Sequence, residues 1–160
     1  MSLSLPTDDL SQNPILLVEP STPTCKRISV AFQSVNLRLL TAATGAEALD
    51  MVHGLIVPAL AIIELALPDM DGGELARKLY QSRRIPIIML AYHADPPTIA
   101  DLLNIVAEDF ILKPFDEREL VVRAIRLLPR ALRNHIGDPR GGLETQKRID
   151  HARGQFKLAN

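Results

Sequence analysis

Ala59-Leu-Ala-Ile-Ile-Glu64-Leu-Ala-Leu-Pro-Asp-Met-Asp-Gly72 decides how this chain folds. Five apolar residues run without a polar break and end on a carboxylate. A short, continuous apolar run suits a strand covered on both faces. Pro68, Asp69, Asp71 and Gly72 then supply the residues of a turn. The reading is a buried strand over Leu60–Ile63, an acid at its C-terminal end, and a loop.

The same grammar recurs on both sides. Ile15-Leu-Leu-Val18 is a second short apolar run, ended by Glu19-Pro20. Thr22 to about Ser34 has helical spacing, with Ile28, Val30, Ala31 and Val35 as core candidates. Leu37–Ala42 reads as a strand. Thr44 followed by Glu47 opens a helix in a capping-box pattern. Asp71-Gly-Gly73 reads as a loop leading into a helix over Glu74–Gln81. Ile85–Leu90 is a strand with Pro86 near its start, where a missing N–H matters least. Thr98–Val106 is helical and follows Pro96 and Pro97. Phe110–Leu112 is the last strand, Lys113-Pro-Phe115 a loop, and Asp116 caps a helix whose apolar side is Leu120, Val121, Ala124, Ile125, Leu127 and Leu128.

Five strand-then-helix units imply an α/β fold: a doubly wound parallel sheet with helices on both faces. Such sheets hold ligands at the carboxyl ends of their strands. That rule selects Glu19-Pro20, Glu64, Ala91-Tyr92-His93 and Lys113-Pro114-Phe115. Pro129 and the breaker Gly137-Asp-Pro-Arg-Gly-Gly142 end the pattern. The expected organisation is a flexible lead-in at 1–14, one domain at 15–130, and a basic, helical or flexible C-terminal extension at 131–160.

Composition narrows the function classes. The chain has 160 residues, 47% hydrophobic and 23% charged, as in a globular domain. Trp is absent and aromatics are 4%, which argues against a stacking surface for direct nucleic acid binding. Cys25 stands alone, so neither an intramolecular disulfide nor a cysteine-based zinc site forms, and a reducing, cytoplasmic compartment fits. Cys25 itself reads as semi-buried packing on the first helix. No apolar run is long enough to span a membrane, and the first residues lack the pattern of a signal peptide. The net charge of −1 is uneven: 11 basic and 16 acidic residues precede 129, against 7 and 3 from 129 onward. His53, His93, His135 and His151 show no metal-ligand spacing, and His93 beside Asp95 reads as a loop histidine.

The segments ILLVE, TAATGAEAL, LPDMDG, IPIIML and FILKPFDEREL, in this order and spacing, resemble the receiver domain of bacterial response regulators over nearly all of Ile15–Arg130. The resemblance implies a flavodoxin-like sheet in the order 2-1-3-4-5. It also implies a polar site at the strand ends. The phospho-accepting aspartate of that family matches Glu64. The acidic pair that helps hold Mg²⁺ matches Glu19 and Pro20, and Pro20 has no side-chain oxygen. The hydroxyl residue after the fourth strand matches Ala91. The lysine is kept as Lys113, with Pro114 after it, and the aromatic switch position matches Phe110. Asp69 and Asp71 fall in a turn of the same pattern.

These departures set the functional expectation. Phosphoryl transfer depends mostly on positioning and charge neutralisation, and Glu64 moves its carboxylate by roughly 1 Å relative to Asp. Mg²⁺ takes octahedral oxygen ligands, so Glu19 and Glu64 offer a weak or absent site. The resemblance then implies an atypical receiver that signals through protein contacts independently of phosphorylation. Glu64 either imitates a phosphorylated aspartate towards Lys113 or forms only an ion pair with it. The alternative is a phospho-accepting regulator with an unusual site. An enzyme of another class lacks a nucleophile with a base. Expected partners are a signalling protein or histidine kinase, or a second copy. The second copy would dock through the fourth helix, fifth strand and fifth helix, where Glu119 and Arg123 match charged positions and Asp101, Glu108 and Asp109 offer opposing charge. Such a seam would be salt-sensitive.

Overall fold

A computed structural model of the chain describes residues 13–54, 56–133 and 136. Most of the lead-in at 1–14 and of the extension at 131–160, with His135 and His151, lies outside the described residues.

Five strands, β1 (Ile15–Val18), β2 (Leu39–Ala42), β3 (Leu60–Glu64), β4 (Ile87–Ala91) and β5 (Asp109–Leu112), form one parallel sheet in the order β2-β1-β3-β4-β5. The helices between and after them are α1 (Thr22–Gln33), α2 (Gly45–His53), α3 (Gly72–Arg83), α4 (Pro96–Ile105) and α5 (Glu117–Leu127), followed by a single turn, α6 (Arg130–Arg133). The doubly wound fold expected from the apolar runs is the fold observed.

Side chains alternate across the sheet, so each strand feeds two cores. Leu16, Val18, Ala61, Ile63, Ile87 and Met89 face α2 and α3, where Ala48, Val52, Leu75 and Leu79 meet them. Ile15, Leu17, Leu60, Ile62, Ile88 and Leu90 face α1 and α5, against Ile28, Phe32, Leu120 and Ala124. Fully burying one such side chain is worth roughly 1.5–3 kcal/mol. Truncating Ile62, on the central strand, would cost about 2–5 kcal/mol.

Helix starts follow local chemistry. Ser21, Thr44, Asp71, Asp95 and Asp116 are N-caps whose side chains accept an N–H from the first turn. Around Thr44 the capping box forms in a shifted version: Glu47 N–H donates to Thr44 Oγ1, while Glu47 Oε2 accepts from Ala43 rather than from the cap residue. Pro96 and Pro97 lie inside the first turn of α4, not before it. First-turn N–H groups have no intrahelical partner, so proline loses nothing there. Gly72 and Gly73 likewise belong to α3 and not to the preceding loop. On α1, Val30 is exposed, whereas Phe32 is buried. Phe32 lies four residues from Ile28 and shares its face, and Val30 points away.

β2 starts two residues later than the apolar run suggested, and β4 runs from Ile87 to Ala91. Leu132, in α6, is buried against the α1–α5 core, so packing continues past Pro129.

Candidate functional site

Strand register brings the candidate residues together. Val18 pairs with Ile63, so Glu19 and Glu64 leave adjacent strands at the same level. Ala91 pairs with Leu112, which places Lys113 one residue beyond the end of β5. Backbone bonds fix these exits: Glu19 N–H donates to Ala42 O, Leu65 N–H to Leu90 O, and Lys113 N–H to Ala91 O at 2.7 Å. The peptide bond between Lys113 and Pro114 is cis.

The three charged side chains meet in a buried centre. Lys113 Nζ donates to Glu19 Oε2 at 2.7 Å and lies 2.5 Å from Glu64 Oε2. The second contact is an ion pair outside hydrogen-bonding angles. Side-chain exposure is 4% for Lys113, 1% for Glu19 and 4% for Glu64. The remaining oxygens also have partners. Glu19 Oε1 accepts from Ser21 N–H at 2.9 Å, and Glu64 Oε1 accepts from Ala66 N–H at 3.0 Å. Burial alone pushes the Lys113 ammonium down; its hydrogen bond to Glu19 and its close charge contacts with Glu19 and Glu64 outweigh burial and hold it above its ordinary value.

Ala91 is buried at the end of β4, beside this centre, and brings no hydroxyl. Pro20 follows Glu19 and is exposed. Phe110 is half-buried and packs on the α2–α3 side of the sheet. Glu19, Glu64, Ala91 and Lys113 thus converge as the strand-end rule required. Tyr92, selected by the strand-end rule but given no role there, has its ring centroid 4.8 Å from Lys113 Nζ. An aromatic directly after a strand-end residue was the available signal.

The loops around the centre are tied down by groups that looked like ordinary turn residues. Asp69, in the β3–α3 loop, accepts from Gly45 N–H and Ala46 N–H at 2.9 Å each, at the start of α2. These bonds, led by Gly45, hold the Asp69 carboxyl below its usual value. A Cβ at Gly45 would meet the Met70 side chain, so any larger residue there would need Met70 to shift. At Gly72 a Cβ would strike the Glu64 carbonyl and the Leu65 backbone, so the loop closes tightly behind Glu64.

Glu119 and Arg123 lie on α5, away from the centre. Arg123 Nη1 donates to Asp109 Oδ2 at 2.9 Å and Nη2 to Glu119 Oε1 at 2.6 Å. These charges are paired within one chain. Cys25 is half-buried against the α1–α5 core. His93 lies in the β4–α4 loop with Asp95, the N-cap of α4. Among the described residues no group of three or more His, Cys, Asp or Glu side chains could hold a metal ion, and no helix is long and apolar enough to cross a membrane.

Comparison with known proteins places this geometry. The model of the response regulator receiver domain matches residues 15–125. The phosphate regulon transcriptional regulatory protein PhoB of Pseudomonas aeruginosa is 35% identical over 122 residues, covering 72% of this chain and 52% of that protein. The probable transcriptional regulator ycf27 of Cyanophora paradoxa is 30% identical over 122 residues, covering 76% and 51%. The chain thus spans about half the length of the curated relatives it matches. Among solved structures, the signal receiver domain of a Luxo repressor protein from Vibrio parahaemolyticus is 26% identical, with a TM-score of 0.69 over 75% of this chain and 92% of that one. A receiver domain protein from Methanospirillum hungatei shares the fold at 22% identity, with a TM-score of 0.66 over 89% and 98%. The sheet order, the strand-end acids with their lysine, and the matched residues agree: this chain belongs to the response regulator receiver domain family of two-component signalling.

Proposed function

We propose that this receiver works without phosphoryl transfer and passes its signal through protein contacts. The observation that carries the reading is the Lys113 ammonium held between Glu19 Oε2 at 2.7 Å and Glu64 Oε2 at 2.5 Å, out of solvent. Glu64 already sets one oxygen on Lys113 and the other on the Ala66 N–H. Its carboxylate offers −1 and two oxygens where a phosphoryl group would bring about −1.5 to −2 and three acceptor oxygens. Ala91 supplies no hydroxyl to sense such a group.

Mg²⁺ does not fit this donor set as arranged. Octahedral ligation at about 2.0–2.1 Å needs free oxygens, usually one or two carboxylates plus water and phosphate. Here each of the four carboxylate oxygens faces a donor or the ammonium, and Pro20 adds no side-chain oxygen. We infer a weak or absent Mg²⁺ site and no catalysed turnover.

Output would then depend on a cytoplasmic partner: a histidine kinase, another signalling protein, or a second copy docked on α4, β5 and α5. We infer no direct nucleic acid contact by this domain, since Trp is absent and aromatics are 4% of the chain. The test is incubation with acetyl phosphate and Mg²⁺ followed by intact mass. No species heavier by one phosphoryl group is expected. Family membership and the retained Lys113 favour a second reading, phospho-acceptance at an unusual site, and a phosphoryl adduct would establish it in place of the first.

A further inference from the structure

The Lys113 ammonium has three donors, and the carboxylates of Glu19 and Glu64 lie against two sides of it. The Tyr92 ring lies on another, with its centroid 4.8 Å from Nζ, inside cation–π range. Tyr92 itself is 60% exposed, while the Lys113 side chain beneath it is 4% exposed. The ring therefore stands between the centre and solvent. Its neighbour Ala91 is a single methyl and fills little of the same space. Outside the ring an open groove of about 510 Å³ runs along Tyr92, His93, Ala94, Asp95 and Leu112.

We propose that Tyr92 is the residue that seals the Glu19–Lys113–Glu64 centre, its ring face covering the side of the ammonium that the carboxylates leave open. Two carboxylates and one ammonium give the centre a net charge of −1. Uncovering it exposes a lysine already neutralised by its neighbours, so a phosphate gains no free cation. The cover thus controls access to Lys113 without making the site an anion receptor. The inference rests on the geometry of the centre and not on the proposed absence of phosphoryl transfer.

A brief pulse with an amine-acetylating ester on the full chain tests it. Peptide mass spectrometry follows Lys113, with Lys78, half-exposed and paired with Glu74, as internal reference. Tyr92→Ala is expected to raise the Lys113 to Lys78 labelling ratio by about 2- to 30-fold, the range that a cation–π contact converts to. Tyr92→Phe keeps the ring face and is expected to label like wild type. Tyr92→Leu, with an apolar cover but no π face, repeats the test if alanine loosens the loop, and a rise is again expected. Unchanged labelling in the alanine and leucine variants overturns the proposal, as does a phenylalanine variant that labels as fast as alanine. A phosphoryl adduct on wild-type protein would instead overturn the phosphorylation-independent reading and leave this result standing.

Discussion

Lys113 Nζ lies 2.5 Å from Glu64 Oε2 with both side chains 4% exposed. An ion pair this deep is poor evidence of net stability, because desolvation offsets much of the attraction. Removing one partner is a different matter. Lys113→Met would leave Glu19 and Glu64 buried side by side without a cation. We expect a loss of about 3–5 kcal/mol in urea denaturation. Glu64→Gln should cost less, since Glu19 still pairs with the ammonium. A Lys113→Met loss below about 1 kcal/mol, the value of an exposed pair, would show that water reaches the centre.

The pH dependence follows from the same contacts. Lys113 is held above its ordinary 10.5 in the folded state, burial being outweighed by Glu19 and Glu64. A raised folded-state value contributes stability that is complete below the unfolded value and lost as pH rises through the folded one. Wild-type stability should therefore fall on the alkaline side of 10.5, and Lys113→Met should lack that component. On the acid side the sign reverses. Asp69, through the Gly45 N–H, Asp95, through the Thr98 N–H, and Asp116, through the Arg118 side chain, are held below 3.8. Their contribution is present above 3.8 and lost as pH falls through the lowered values. Thermal midpoints across both windows check the two signs.

Asp69 joins two loops that border the centre, by bonding the first N–H groups of α2 from the β3–α3 turn. Asp69→Ala frees both donors. Amide hydrogen exchange at Gly45 and Ala46 should quicken, with the β3 amides unchanged. Equal acceleration throughout β3 would mean that Asp69 supports the whole sheet and not the loop junction.

Sequence carried the sheet because its strands are buried on both faces and read as unbroken apolar runs, as Ile15–Val18 and Leu60–Ile63 do. It carried Glu19, Glu64 and Lys113 because strand ends in a parallel sheet converge on one edge. It placed Tyr92 at a strand end but not its contact with Lys113, which depends on the direction of one ring, nor did it carry Val30, where an apolar residue within a helical pattern turns to solvent. Asp69 looked like turn chemistry because its partners lie 24 and 23 positions away. Glu119 and Arg123 read as a candidate seam between copies, since charge in a sequence does not say which chain supplies its partner.

Large apolar side chains on the α4–β5–α5 face are open: Leu103 is 41% exposed, Ile105 53%, Leu112 50% and Val122 49%. The charges beside them are already matched, Arg123 with Asp109 and Glu119 of its own chain. A contact on this face would be driven by apolar burial, which salt does not screen, and not by a charged seam. If the chain pairs with itself here, sedimentation should show the dimer persisting from low to high salt. Val122→Glu should abolish it with stability changed by no more than about 0.5 kcal/mol, as for a surface site. Arg123→Glu should lower the thermal midpoint instead, because it places a third acid against Asp109 and Glu119. A dimer that dissolves in salt would restore the charged seam. A monomer in every condition would remove the homodimer and leave a different signalling protein as the occupant of the face.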